Sequence, residues 1–290
     1  MPECIIVSAF IANVNSRSDR NIQKYMDYGR ALMNLPIRKI VFMSRGRGGS
    51  APFASRGTYG SPHAPLPSRG TNPGGGAPST GGCEGGGAPS SPTTVLWFEK
   101  SDMYFNDLRD SITEFGVDTQ HPEKDTLDYM FVQCHKTEWV AKAIEHDKAS
   151  GNWSESNIYV WLDFGIRHMF RSDIAFEVEL YRMRDRCLAL SDTQKTLVYA
   201  AGCWNPNCVY YQDIYRQIHW VFAGSVFAGN TDALLEFAQR TKEKCLSIIT
   251  QKRRLMWEVN VWYLVFLDKR NLFSFYRADH NASILSGLFL

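Results

Sequence analysis

Short continuous apolar runs alternate along this chain with longer amphipathic stretches. IIVSAFI at 5–11, IRKIVFM at 37–43, TTVLWFE at 93–99, NIYVWLDFG at 157–165 and KTLVYAAG at 195–202 have the length and branched or aromatic content of strands buried on both faces. HWVFAGSVFAG at 219–229 reads as a strand or a strand pair with small residues at its bends. Between these runs the period changes to that of a helix. NIQKYMDYGRALMNL at 21–35 sets Ile22, Tyr25, Met26, Gly29, Leu32 and Met33 near one stripe. DTLDYMFVQCHKTEWVAKAIEHD at 125–147 predicts one long helix with Val132, His135, Trp139, Val140, Ala143 and Ile144 on a shared face. After Asn230 and Thr231, which can cap it, DALLEFAQRTKEKCLSIIT turns Leu234, Leu235, Ala238, Leu246 and Ile249 inward and offers a Glu236–Arg240 pair. LMWEVNVWYLVFL at 255–267 is apolar nearly all round and predicts a buried helix.

Strands alternating with helices predict an α/β fold with a mainly parallel sheet, in which ligands bind beyond the carboxyl ends of the strands. Asp163 and Gly165 lie where the strand at 157–162 gives out, so the acid faces the expected crevice.

One segment breaks the pattern. The 51 residues from 44 to 94 hold 14 of the 22 glycines and 8 of the 12 prolines, with SRG repeated at 44, 55 and 68 and GGGAPS at 74 and 85. So little apolar surface cannot offset the entropy of ordering, and a disordered insert in a single domain spanning 1–290 is expected. GRGGSA at 46–51 formally matches a dinucleotide fingerprint, but PFASRG follows it where a helix N-terminus is required. Four arginines against one glutamate give the insert +3, leaving −1 for the rest of a chain whose net charge is +2. That balance points to neither nucleic acid nor anionic membrane.

The seven cysteines form no CxxC pair and read as reduced thiols. The first twenty residues lack a basic region and a small-residue cleavage site, and no apolar run reaches the ~18–20 residues of a membrane span. A soluble, cytoplasmic protein is expected.

Four clusters carry candidate chemistry. Asp163, set among Trp161, Leu162 and Phe164, is costly to desolvate unless paired, hydrogen-bonded or bound to a cation, so it is either a metal or nucleotide ligand or a structural cap. His280 in ADHN is a candidate metal ligand or an ordinary hydrogen-bonded histidine. Glu258, with Asn260 the polar part of a buried helix, is a candidate general base or the partner of a basic side chain. Gly224 and Gly229, five apart among aromatics, bring backbone close to a ligand or to another strand. Lys136 pairs with Glu138 on a helix surface or reaches a phosphate. The DFG at 163–165 lacks the glycine-rich loop, lysine and HRD that a kinase needs, and no P-loop is present. A metal-dependent phosphoesterase would need more clustered acids and histidines.

Taken in order, KDTLDYMFVQCHKTEWVAKAI, YVWLDFGIRHMF, WVFAGSVFAG, LMWEVNVWYLVF and ADHN resemble the HtrL/YibB family, over about 4–43 and 95–285. The resemblance implies a GT-A-type glycosyltransferase domain with one continuous sheet, a nucleotide-sugar donor, a glycan or other acceptor, and Mn2+ or Mg2+. It implies that Asp163 stands as the first acid of a DxD motif, with Gly165 in its third place, so that the usual pair of acids is incomplete. It implies that His280 joins Asp163 at the metal, that Ser8 and Ala9 lie beside the base, and that Gly224 to Gly229 line the donor sugar or acceptor. Glu258 resembles the acid that faces the acceptor. A catalytically inactive nucleotide- or glycan-binding module of the same fold is the alternative.

Overall fold

The strongest apolar runs are strands of one sheet in the computed structural model, which describes residues 2–12, 14, 21–44, 93–116, 122–190, 196–206 and 214–290. In chain order these are β1 (Cys4–Phe10), β2 (Lys39–Ser44), β3 (Thr93–Phe98), β5 (Ile158–Leu162), β6 (Val198–Gly202), β7 (Val226–Asn230) and β9 (Phe273–Arg277). The spatial order is β3-β2-β1-β5-β7-β6-β9. Only β7 runs against its neighbours, and every other pairing is parallel. A minor pair, β4 (Glu114–Phe115) with β8 (Arg254–Leu255), lies apart. The expected α/β architecture on a mainly parallel sheet is therefore present. Apart from its strand-forming ends Ser44, Thr93 and Thr94, the glycine-rich insert expected at 44–94 lies outside the described residues. No helix among the described residues is long and apolar enough to cross a membrane.

Both faces of the sheet are covered, as continuous apolar strands require. Val7, Phe42, Tyr159, Trp161 and Phe227 point to a core shared with α3 (Lys136–Ala149), α5 (Thr231–Lys252) and α6 (Glu258–Asp268). Ile6, Val41, Val160 and Leu162 point to the other, covered by α1 (Ile22–Met33), α4 (Asp173–Leu188) and α7 (Ser283–Ser286). Helix α4 lies outside the elements predicted above. Ser172 caps it by accepting from Ala175 N at 3.1 Å, and Phe176, Leu180, Met183 and Cys187 form its buried stripe.

Three expectations change. The long helix predicted at 125–147 is two, α2 (Leu127–Cys134) and α3, broken at His135. There the amide is shared between Phe131 O at 3.1 Å and Val132 O at 3.3 Å, the tightened end of a helix. Periodicity alone does not reveal the break, because both halves bury the same side. The apolar stretch 219–229 yields a strand only from Val226, and its first half is turn. Lys136 does not pair with Glu138. It is buried, and Glu138 instead meets Lys242 at 3.9 Å.

His135 is enclosed by the rings of Phe98 (5.3 Å between centroids), Tyr104 (5.3 Å) and Trp139 (4.9 Å). Neither ring nitrogen has a hydrogen-bond partner among the described residues. Burial first, then Lys142 and Lys242, hold its pKa well below the ordinary 6.5. The unfolded chain binds a proton there before the folded one does, so stability falls as pH drops from about 6.5 toward the lowered value. The slope reaches at most ~1.4 kcal/mol per pH unit. Urea denaturation between pH 7.5 and 5.5 should show this loss. His135→Phe, which suits the aromatic box, should flatten it.

Candidate functional site

Parallel topology puts several strand ends on one edge. The chain runs from β1 toward β2 and β3 on one side and to β5 on the other, so β1 and β5 flank a crevice at the point where strand order reverses. Beyond that edge lies a cavity of about 980 Å³. Ala9 and Phe10 end β1 there, Asp163 and Gly165 follow β5, and Cys203 and Trp204 follow β6. Asp279 and His280 follow β9. Because β7 is reversed, its beginning meets this edge, and Leu162 pairs with Val226. Gly224 and Ser225 arrive with it.

Three charged side chains meet on the cavity wall. Lys136 Nζ lies 2.9 Å from Asp163 Oδ1, 3.0 Å from Glu258 Oε1 and 2.9 Å from Gly224 O. The Lys136 and Glu258 side chains are almost wholly buried, at 3% and 2% exposure, whereas Asp163 is 34% exposed. The three sum to one negative charge. Lys136 opens α3, where a cation opposes the helix dipole, so the two carboxylates must compensate it. Burial alone would lower its pKa. Asp163 and Glu258 outweigh that and raise it above the usual lysine value, so the ammonium stays charged. Glu258 opens α6, where the dipole favours an acid.

Each member is fixed by its neighbours. Trp161 Nε1 donates to Asp163 Oδ1 at 2.9 Å, and Trp161 is stacked between Trp139 and Phe227. The Asp163 amide donates to Ser225 O at 3.0 Å. Gly224 is required by proximity: a Cβ there would stand 2.1 Å from Glu258 Oε1. Glu258 Oε2 is buried and has no hydrogen-bond partner among the described residues. Burial first, then the Glu258 and Asp163 carboxylates, push the pKa of Tyr129 well up, so its phenol keeps its proton on the cavity wall.

Of the residues singled out in the sequence, Ala9, Lys136, Asp163, Gly165, Gly224, Glu258 and His280 all line this cavity. Ser8 and Gly229 do not. Ser8 is fully buried and its hydroxyl donates to Leu162 O at 2.6 Å, tying β1 to β5. Gly229 faces Tyr159 in the ladder, and a Cβ on it would meet Leu197 O at 2.9 Å, so it serves packing. At Gly165 a side chain would begin 2.9 Å from the ring of Tyr25, so the close approach of that ring favours glycine.

The metal expectation fits these residues poorly. Asp163 is already engaged by Lys136 and Trp161. Among the described residues no three His, Cys, Asp or Glu side chains converge as a cation site. A divalent ion at Asp163 would have to displace Lys136 or draw its remaining ligands from substrate phosphates.

Sequence reading missed the aromatic part of the wall, above all Trp204, Trp220 and Trp257, and also His168. Trp204 and His168 carried the same positional signal as Asp163, since both follow closely on a strand's carboxyl end. Neither the protein-family models nor the curated proteins compared with this chain give a match.

Proposed function

We propose that the chain is a glycosyltransferase of the HtrL/YibB kind, moving a sugar from a nucleotide-sugar donor to a hydroxyl acceptor. One observation carries this: Glu258 is buried on the wall of a large crevice with one oxygen held by Lys136 and the other unsatisfied. An unpaired buried acceptor is costly, and a substrate hydroxyl satisfies it. In the reaction that hydroxyl gives its proton to Glu258 while its oxygen bonds to the anomeric carbon. The bond from that carbon to the nucleoside diphosphate breaks, and the diphosphate leaves with its electron pair. Lys136 positions Glu258, and Lys124, on the same wall with its ammonium 4.3 Å from the centroid of the Trp257 ring, supplies positive charge toward the leaving group. The resemblance of the collinear motifs and the single continuous sheet with its crevice at the strand ends support the same reading.

The test is a panel of UDP-, GDP- and CMP-sugars, with and without Mn2+, read as nucleotide release and as a thermal shift. Release of one nucleotide with a matching shift is expected. A shift without release in either metal condition would instead establish a binding module. One feature favours that second reading: Lys136 already engages both carboxylates.

A further inference from the structure

Part of the cavity wall is aromatic. Trp204 is 45% exposed and Trp220 36%, much as Trp97 and Trp153 are, but of these four it is Trp204 and Trp220 that line the large cavity. Both line the cavity, and they are locked together by the Trp204 amide donating to Trp220 O at 2.8 Å. Trp220 in turn packs edge-on to the buried Trp257 at 6.0 Å, and Trp257 immediately precedes Glu258 in sequence. Trp204 also lines a second cavity of about 370 Å³, together with Arg277, Asp279 and Ser283. Trp204 and Asp279 thus border both spaces. Asp279 is held in place, its Oδ1 accepting from His280 N at 2.7 Å and its amide donating to Ser283 Oγ at 2.9 Å.

The geometry points to a saccharide-binding subsite in which a pyranose ring stacks on the Trp204 indole, with Arg277 and Asp279 taking its hydroxyls. A sugar ring has one face of C–H bonds and a rim of hydroxyls, which matches a rigid indole bordered by a carboxylate and a guanidinium. A lipid chain would strand those charges against hydrocarbon, and a bare anion would gain nothing from the indole. The occupant rests on the transferase reading: it is the acceptor, a glycan of two or more units whose terminal hydroxyl reaches Glu258 while the next ring lies on Trp204. The two cavities give room for more than one ring.

Isothermal titration calorimetry of the full chain with maltotriose, cellotriose, chitotriose and mannotriose tests it. Saturable binding of at least one trisaccharide is expected. Trp204→Ala should weaken that binding at least tenfold, and Trp204→Phe, which keeps a ring, should recover part of it. Because Trp204 is half-exposed, its truncation removes little core, and circular dichroism confirms the fold. No response to any of the four, or equal affinity in wild type and Trp204→Ala, overturns the subsite. Nucleotide release from the donor panel is scored separately. Trisaccharide binding that depends on Trp204 without any release would refute the transferase and leave the saccharide subsite standing.

Discussion

Replacing Lys136 by Met is expected to lower the free energy of unfolding by about 3–5 kcal/mol, the cost of stranding charges in a protein interior. The methionine matches the lysine stem in length, so the loss reports charge more than volume. Glu258, at 2% exposure, bears most of it, because solvent screens it least. Asp163 is a third exposed, so solvent screens its share. Removing the second buried charge as well, in Lys136→Met with Glu258→Leu, should restore much of the loss, since an apolar cluster replaces a broken ion pair. A single-variant loss below about 1 kcal/mol in chemical denaturation would show that the cluster is looser than its distances indicate. The sign with pH follows from the raised pKa of Lys136. Its charge contributes fully below the ordinary 10.5 and is lost only as pH climbs through the higher folded value. Wild type should therefore weaken in strong alkali by a component that the Met variant lacks.

Glu258→Gln is expected to cut sugar transfer by about 10²–10⁴-fold while leaving the fold nearly as stable. The amide keeps the shape, and its oxygen still accepts from Lys136, but it cannot take the acceptor proton. The loss should fall on kcat rather than on KM, because the base acts on the proton only as the glycosidic bond forms. A variant that keeps more than a tenth of wild-type turnover would remove Glu258 from the chemistry. One that loses binding and stability together would mark it as a structural partner of Lys136.

Much of this site was legible in the sequence because position at a strand's carboxyl end is a one-dimensional signal. YVWL followed by an acid locates Asp163 in the crevice without any knowledge of the third dimension. Glu258 could be read as buried, since apolar residues surround it on every face of its helix. Its partner could not be read. Lys136 lies 122 positions away, on the first turn of a helix that periodicity runs together with the one before it. Sequence alone offers Lys136 only a neighbouring glutamate or a phosphate, because it shows only local partners. Ser8 and Gly229 illustrate the converse. Small residues near a strand end look like ligand-facing positions, but one ties two strands together and the other makes room for a carbonyl. The half-exposed Trp204 and Trp220 are not legible in this way, because exposure is a property of the folded surface and a tryptophan in sequence reads first as core.

The reversal of β7 also divides the site by how freely it can change. A strand entering the crevice by its carboxyl end delivers residues whose facing is set by the ladder, so shifting β5 by one position would swing its alternate side chains to the other face of the sheet. A strand that begins at the crevice delivers whatever precedes it, and that lead-in is loop. Within that loop Val221 and Phe222 are wholly buried and His219 N donates to Asn260 Oδ1 at 2.8 Å, so of residues 219–223 it is the exposed Trp220 whose side chain can vary while Val226–Asn230 keeps its register. The lead-in to β7 thus combines buried residues, whose place packing sets, with one exposed indole, which can be exchanged without rebuilding the charged centre.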